Sequence, residues 1–243
     1  RLRKTVAIKV LHGEGSDNAE DRARFLREGQ AASAIRHPNI VDVFDVGEHE
    51  SIIYLVMEYL PGESLDALLV RRQRLPPEET VDFLLPVISA ISAAHDQGVI
   101  HRDLKPANVI LVSGSHGKVV PKVVDFGISK MASGGGVSAD HPLTMTGTLL
   151  GTPYFMSPEQ VSGAKDVDSR CDQYAIGVML YRCLTGRLPF QEPNLYATLM
   201  AIGQGRYPPP REIDPSIPEG LQSVISRTMH VDPGQRFASL IDL

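Results

Sequence analysis

Hydrophobic periodicity changes character once along this chain of 243 residues, near Glu58–Gly62, and that change limits the possible folds more than any other feature. Before it, apolar residues alternate. In Thr5–Leu11, Val6, Ile8 and Val10 face one way and Ala7, Lys9 and Leu11 the other, the pattern of a half-buried strand. Ile40–Val46 and Ser51–Met57, rich in Val, Ile and Tyr, predict two more strands joined by Gly47–Glu50. Between the first and second strands, Ala19–Ile35 predicts a helix, with Phe25, Ala32 and Ile35 at helical spacing among Arg and Glu, and Pro38 closing it. After Pro61-Gly62 the pattern becomes helical. Ser64–Gln73 is short and amphipathic. Glu78–Asp96 is long and carries Val81, Leu84, Ile88, Ile91 and His95 on one stripe; Pro86 must bend it or be tolerated near its start. Asp168–Leu184 is a strongly apolar helix, and two or three weaker helices follow. Short apolar segments at Val99–Val112 and Val119–Val124 surround polar clusters, and Met131–Thr148, rich in Ser, Gly and Thr, predicts a loop. The expected fold class is α+β: a small antiparallel sheet with one helix over residues 1–60, then a larger, mainly helical lobe over 61–243.

Composition removes several functions. The formal net charge is -5, with 24 Lys and Arg against 29 Asp and Glu, which gives no footprint for nucleic acid or an anionic membrane. Phe83–Ala94, broken by Pro86, and Tyr174–Tyr181 both fall short of the ~20 apolar residues of a membrane span. Two cysteines are too few for a secreted disulfide scaffold, and Cys171 and Cys183 lie too far apart along one helix to bond. They are expected to be buried thiols in a reducing, cytoplasmic setting. The eight histidines show no metal-ligand spacing. The chain opens on Arg1-Leu2-Arg3-Lys4-Thr5, without Met and almost directly on a strand, so it is expected to be part of a longer protein, which could carry a membrane anchor elsewhere.

One segment concentrates chemistry. His101-Arg102-Asp103-Leu104-Lys105-Pro106-Ala107-Asn108 sets four ionisable residues and an amide between apolar segments, where burying charge is costly. Asp125-Phe126-Gly127 follows directly on Val123-Val124. Asn108 and Asp125 are hard oxygen ligands suited to Mg²⁺. These strings resemble the catalytic loop and metal-binding triplet of protein kinases. Val6-Ala7-Ile8-Lys9 is similar to the family's strand whose lysine grips the ATP phosphates, and Glu28 stands where its helix glutamate would pair with that lysine. Gly151-Thr152-Pro153-Tyr154 and Ser157-Pro158-Glu159 resemble the end of an activation segment spanning 125–159, with Ser157 where many members have Ala. Lys105 and the Gly-Thr-x-x-Tyr stretch favour the serine/threonine class, and the wording of the motifs is similar to the eukaryotic-like kinases of bacteria.

The resemblance implies a two-lobed kinase-like fold, ATP and Mg²⁺ as cofactors, and roles for particular residues. Asp103 would accept the substrate hydroxyl proton and Lys105 would neutralise the migrating γ-phosphoryl. Asn108 and Asp125 would hold the metal, and Thr152 would tie the segment to Asp103 and Lys105. Lys9, fixed by Glu28, would grip the α- and β-phosphates. Adenine would lie against Ala7 and Ile110 with Val124 near, its edge on the backbone of Glu58 and Leu60, and Met57 behind. Asp172 would anchor the catalytic loop, and Arg236 would pair with Glu159. Thr144 or Thr146 would be phosphorylated, by the kinase itself or through self-association with a sister molecule, and the phosphate would pair with Arg102 and Lys130. The partners implied are proteins presenting Ser or Thr, in signal transduction, with no nucleic acid and no membrane segment in this chain.

Two departures, in the missing loop and at Gly29, and one look-alike motif stand out. The family's Gly-x-Gly-x-x-Gly loop has no counterpart among the eight residues before Lys9, so the chain is expected to hold its helical lobe but transfer phosphate poorly. Gly13-x-Gly15 follows the lysine strand, and Asn18 stands where a dinucleotide motif needs its third glycine, so it reads as a turn. Gly29, beside Glu28, is expected to loosen the helix, since an interior glycine costs about 1 kcal/mol relative to Ala. Two alternatives stand beside the protein kinase reading: a pseudokinase or docking module without turnover, and a small-molecule phosphotransferase. The substrate-platform motif at Gly151–Glu159 argues against the second.

Overall fold

The computed structural model describes residues 4–10, 19–50, 52–114, 117–126, 153–164 and 166–243. Three strands form the first sheet: β1 (Val6–Val10), β2 (Val43–His49) and β3 (Ile52–Glu58), in the order β1-β3-β2 and antiparallel throughout. β3 is central, and its period-2 pattern buries Ile53, Leu55 and Met57 on one face. Helix α1 (Ala19–Ala34) packs there with Phe25 and Ala32. The close approach is made at Gly29: a Cβ there would meet Val46 Cγ2 at 2.8 Å. Gly29 is therefore the residue that lets α1 lie this close to the sheet.

The second strand begins later than its composition suggests. Val43–His49 pairs with β3 through a bulge between Val43 and Asp45, and the turn comes at Glu50, with φ of 48°. The preceding residues serve another partner. Ile40 makes a parallel bridge to Val123; the Val41 N–H donates to the Val123 carbonyl at 3.0 Å, and the Val123 N–H donates to the Asn39 carbonyl at 2.8 Å.

The larger lobe opens with β4 (Gly62–Ser64), which joins β5 (Val109–Ser113) and β6 (Val119–Val123) in a second antiparallel sheet ordered β4-β5-β6. Ser64 caps α2 (Leu65–Arg72) by accepting from the Ala67 N–H at 3.1 Å. Helix α3 (Pro77–His95) runs through Pro86, which lies mid-helix rather than near its start. Its buried stripe is Thr80, Phe83, Leu84, Val87, Ala90, Ile91 and Ala94, rotated from the expected one. The helix is apolar on several sides, so its neighbours β6 and the central helix α5 (Arg170–Thr185) decide which positions are covered. In α5 all but Arg170 and Arg182 are buried, as an all-round apolar helix requires. On it pack α7 (Pro210–Ile213) and α8 (Glu219–Thr228), while α4 (Pro158–Val161) packs on α6 (Leu195–Gln204). Cys171 and Cys183 are free and buried in α5; burial pushes the Cys183 thiol up to about 12 and the Cys171 thiol up as well, so neither is nucleophilic at neutral pH. Among the described residues no helix is long and apolar enough to cross a membrane.

Candidate active site

The loop after α3 is held by a carboxylate from below. Asp172, fully buried in the first turn of α5, accepts the His101 N–H through Oδ2 and the Arg102 N–H through Oδ1, both at 2.8 Å. Its Oδ2 also lies 2.8 Å from His95 Nε2 at the end of α3. Burial alone would raise the Asp172 carboxyl, but the His95 hydrogen bond, the two imidazoles and the His101 N–H outweigh it and hold the carboxyl below its ordinary range. His101 is buried too. Its Nε2 donates to the Val124 carbonyl at 3.0 Å, which leaves Nδ1 to accept from the Asp103 N–H at 3.3 Å. Burial keeps this imidazole below its usual pKa against the pull of Asp172 and its acidic neighbours. The ring also stacks at a tilt on Phe126, with centroids 4.9 Å apart.

That frame sets Asp103 at the mouth of the cleft. Its Oδ2 lies 2.8 Å from Lys105 Nζ, and its carbonyl accepts from Asn108 Nδ2 at 2.8 Å. Asn108 sits in a 3-10 turn, Pro106–Asn108, and its carbonyl takes the Val124 N–H at 2.9 Å, so the loop and the segment leading to Asp125 are stitched together. With its amide nitrogen committed to Asp103, Asn108 has its amide oxygen left to act as a ligand. Asp125 adopts φ of 62°, and its Oδ1 meets Lys9 Nζ from β1 at 2.7 Å. Lys9 thus reaches across from the small sheet to the larger lobe.

The apolar residues expected around a base are spread over both sheets. Ala7 is opposite Met57 in the β1–β3 register, Ile110 lies on β5, and Val124 follows β6. At the end of β3 the Glu58 N–H is taken by the Asp42 carbonyl at 2.8 Å, and its carboxylate pairs with Lys122 at 2.7 Å. The Leu60 carbonyl accepts from Gly62 at 3.0 Å. Glu58 therefore presents no free side chain to the cleft. Glu159 and Arg236 make a two-pronged ion pair at 2.7 and 2.8 Å, with Arg236 also donating to the Arg170 and His230 carbonyls at 2.9 Å. Glu28 lies in α1, with its side chain outside the described residues, as are Lys130, Thr144, Thr146 and Thr152.

Three contacts escaped the sequence reading. His95 is a ligand of the buried Asp172, although its spacing marked only an apolar stripe. Lys122 joins the end of β3 to β6. Gln160, one residue beyond Ser-Pro-Glu, donates to the Arg102 carbonyl at 2.8 Å.

A small sheet and a helical lobe, with a lysine of the first meeting an aspartate of the second and an Asp-x-Lys loop pinned from α5, define the phosphotransferase architecture of protein kinases. The chain belongs to the protein kinase domain family, whose profile matches residues 1–240. It is 41% identical over 235 residues to the serine/threonine-protein kinase Pkn1 of Myxococcus xanthus, covering 97% of this chain and 33% of that protein. It is 34% identical over 242 residues to the serine/threonine-protein kinase PrkC of Bacillus subtilis, covering 100% of this chain and 36% of that protein. The chain thus spans about a third of these curated relatives. Among solved structures it is similar to the PknI kinase domain of Mycobacterium tuberculosis, with a TM-score of 0.75 and 29% identity over 98% of this chain and 82% of that one.

Proposed function

We propose that the chain is the catalytic domain of a bacterial serine/threonine protein kinase, transferring the γ-phosphoryl of ATP to a Ser or Thr hydroxyl of a protein. The observation that carries this reading is the Asp103 carboxylate beside Lys105, on a loop whose backbone is fixed by Asp172 and Asn108, across from the Lys9–Asp125 pair. The substrate hydroxyl gives its proton to Asp103 as its oxygen bonds to the γ-phosphorus; the bond to the β–γ bridging oxygen breaks and ADP leaves. Lys105 offsets charge on the moving phosphoryl, and Lys9 holds the phosphates behind it. The Leu60 N–H is the donor for an adenine edge, with Ala7, Met57, Ile110 and Val124 as walls. The amide oxygen of Asn108 and the carboxylate of Asp125 are the hard oxygen donors that fit Mg²⁺, which prefers one or two such ligands alongside phosphate oxygens and water. The metal, when bound, supplies positive charge against the β- and γ-phosphates.

The test is phosphate transfer to Ser- and Thr-containing peptides with Mg²⁺-ATP. Asp103→Asn is expected to lower transfer by about 10²–10⁴-fold while nucleotide still binds, the range for a general base. Asp125→Asn is expected to weaken Mg²⁺-dependent nucleotide binding as well. Unchanged turnover in Asp103→Asn would remove the base assignment, and nucleotide binding without any transfer by the unsubstituted protein would favour a docking module.

A further inference from the structure

Arg102, directly before Asp103, has φ of 61°. A residue with a Cβ holds that left-handed conformation only where its surroundings fix it. Here the N–H of Arg102 is held by Asp172 Oδ1 at 2.8 Å, and its carbonyl accepts from Gln160 Nε2 at 2.8 Å. The peptide plane that links Arg102 to Asp103 is therefore gripped at both edges: the Arg102 carbonyl by Gln160 and the Asp103 N–H by the His101 carbonyl at 2.8 Å. Rotation of that plane would reorient the Cα from which the Asp103 carboxylate hangs.

The other end of the same amide points elsewhere. Gln160 Oε1 accepts from the Ser157 N–H at 3.0 Å and from the Ser157 hydroxyl at 3.3 Å. Ser157 is fully buried and stands just ahead of α4. One planar amide thus joins two segments 58 residues apart, the loop that bears Asp103 and the segment whose sequence resembles a peptide-substrate platform.

We infer that Gln160 is a positioning residue: it fixes the Arg102–Asp103 peptide in the orientation that presents the Asp103 carboxylate, and couples that orientation to the Ser157 segment. The effect on rate rests on the kinase reading; the effect on backbone order rests on geometry alone. Gln is required for both ends. A Glu at this position keeps an acceptor for Ser157 but cannot donate to the Arg102 carbonyl and sets a carboxylate against it.

The experiment compares Gln160→Glu, Gln160→Met and a control, Ser162→Ala, whose hydroxyl only meets the Glu159 carbonyl at 3.0 Å in the same helical turn. Peptide kinetics with Mg²⁺-ATP, amide hydrogen exchange over residues 101–104 and thermal melting are measured together. Gln160→Glu is expected to lower kcat about 10-fold or more with KM for ATP within about two-fold, because the reacting group is misplaced while nucleotide binding is not. Exchange over 101–104 is expected to quicken locally with little change in melting, and the control to match the unsubstituted protein. Wild-type kcat and exchange in Gln160→Glu would overturn the inference. So would a loss of kcat accompanied by faster exchange throughout and a lowered melting temperature, the mark of a merely structural role. If Gln160→Glu does not fold, Gln160→Met is read by the same criteria. If the unsubstituted protein moves no phosphate, the kinase reading fails, and local exchange alone decides the inference: quickened exchange upholds it and unchanged exchange overturns it.

Discussion

Asp172 and His101 sit side by side and fully buried; partners overcome burial at Asp172, while burial prevails over the pull of Asp172 at His101. The carboxyl of Asp172 titrates below its ordinary value and the imidazole of His101 below its own, so in both cases the unfolded chain takes up a proton before the folded one does. The stability that neutral His101 contributes is complete above the ordinary histidine value of about 6.5 and is lost as pH falls below it. The share from Asp172 is complete above about 3.9 and is lost below that. His37, lowered by burial, adds to the first window, and Glu159, where Arg236 outweighs the opposing effect of burial, adds to the second. The melting temperature is therefore expected to fall between about pH 7 and about pH 5.5, and again below about pH 4. His101→Asn should flatten the first fall to the share left by His37; an unchanged slope in the first window would contradict this. Asp172 was legible only through the family resemblance, which places an anchoring carboxylate in this apolar helix. His95 was not, because helical spacing makes a histidine at the rim of an apolar stripe look like packing.

Helix α1 shows propensity and packing in competition. Gly29→Ala would gain up to about 1 kcal/mol of helix propensity. Its Cβ would press on Val46 Cγ2 at 2.8 Å, and overpacking of this kind costs about 1–3 kcal/mol. The variant is therefore expected to be less stable, and Val46→Ala should restore stability in the double variant; chemical denaturation of the four proteins of the cycle measures both signs. The pair of Glu159 with Arg236 is a second case. The Arg236 side chain is 0% exposed, so Glu159→Gln leaves a buried cation and is expected to cost about 3–5 kcal/mol, with Arg236→Met in that background recovering part of it. Recovery of nothing by the second substitution would deny that the buried charge is the cause. Element types were legible because period 2 and period 3.6 are properties of local sequence. Element edges were less so. Ile40 and Val41 have the composition of a strand, yet Ile40 bridges Val123 and the Val41 N–H donates to the Val123 carbonyl, and no local pattern records so distant a partner.

At the scale of the molecule, the two lobes were visible as a change in periodicity, while the contacts that join them were not. They pair residues far apart in the chain: Lys9 with Asp125, Glu58 with Lys122, and the segment from Asn39 to Val41 with β6. The last of these includes a hydrogen bond from Asn39 Nδ2 to the Pro121 carbonyl at 2.8 Å. Asn39→Ala is expected to cost about 1 kcal/mol, the net worth of a hydrogen bond, and to quicken amide exchange at residues 39–41 and 121–123 together. Exchange confined to one of the two segments would show that they are not coupled. This junction lies just past the C-terminal end of α1, so the helix is a lever with its fulcrum on the larger lobe. Were the small sheet to tilt about this junction, the far end of α1 would sweep the longest arc and its last turn the shortest. Glu28, about two-fifths of a turn beyond the helix midpoint on the fulcrum side in a helix of 3.6 residues per turn, would be displaced less than the helix start for any given tilt.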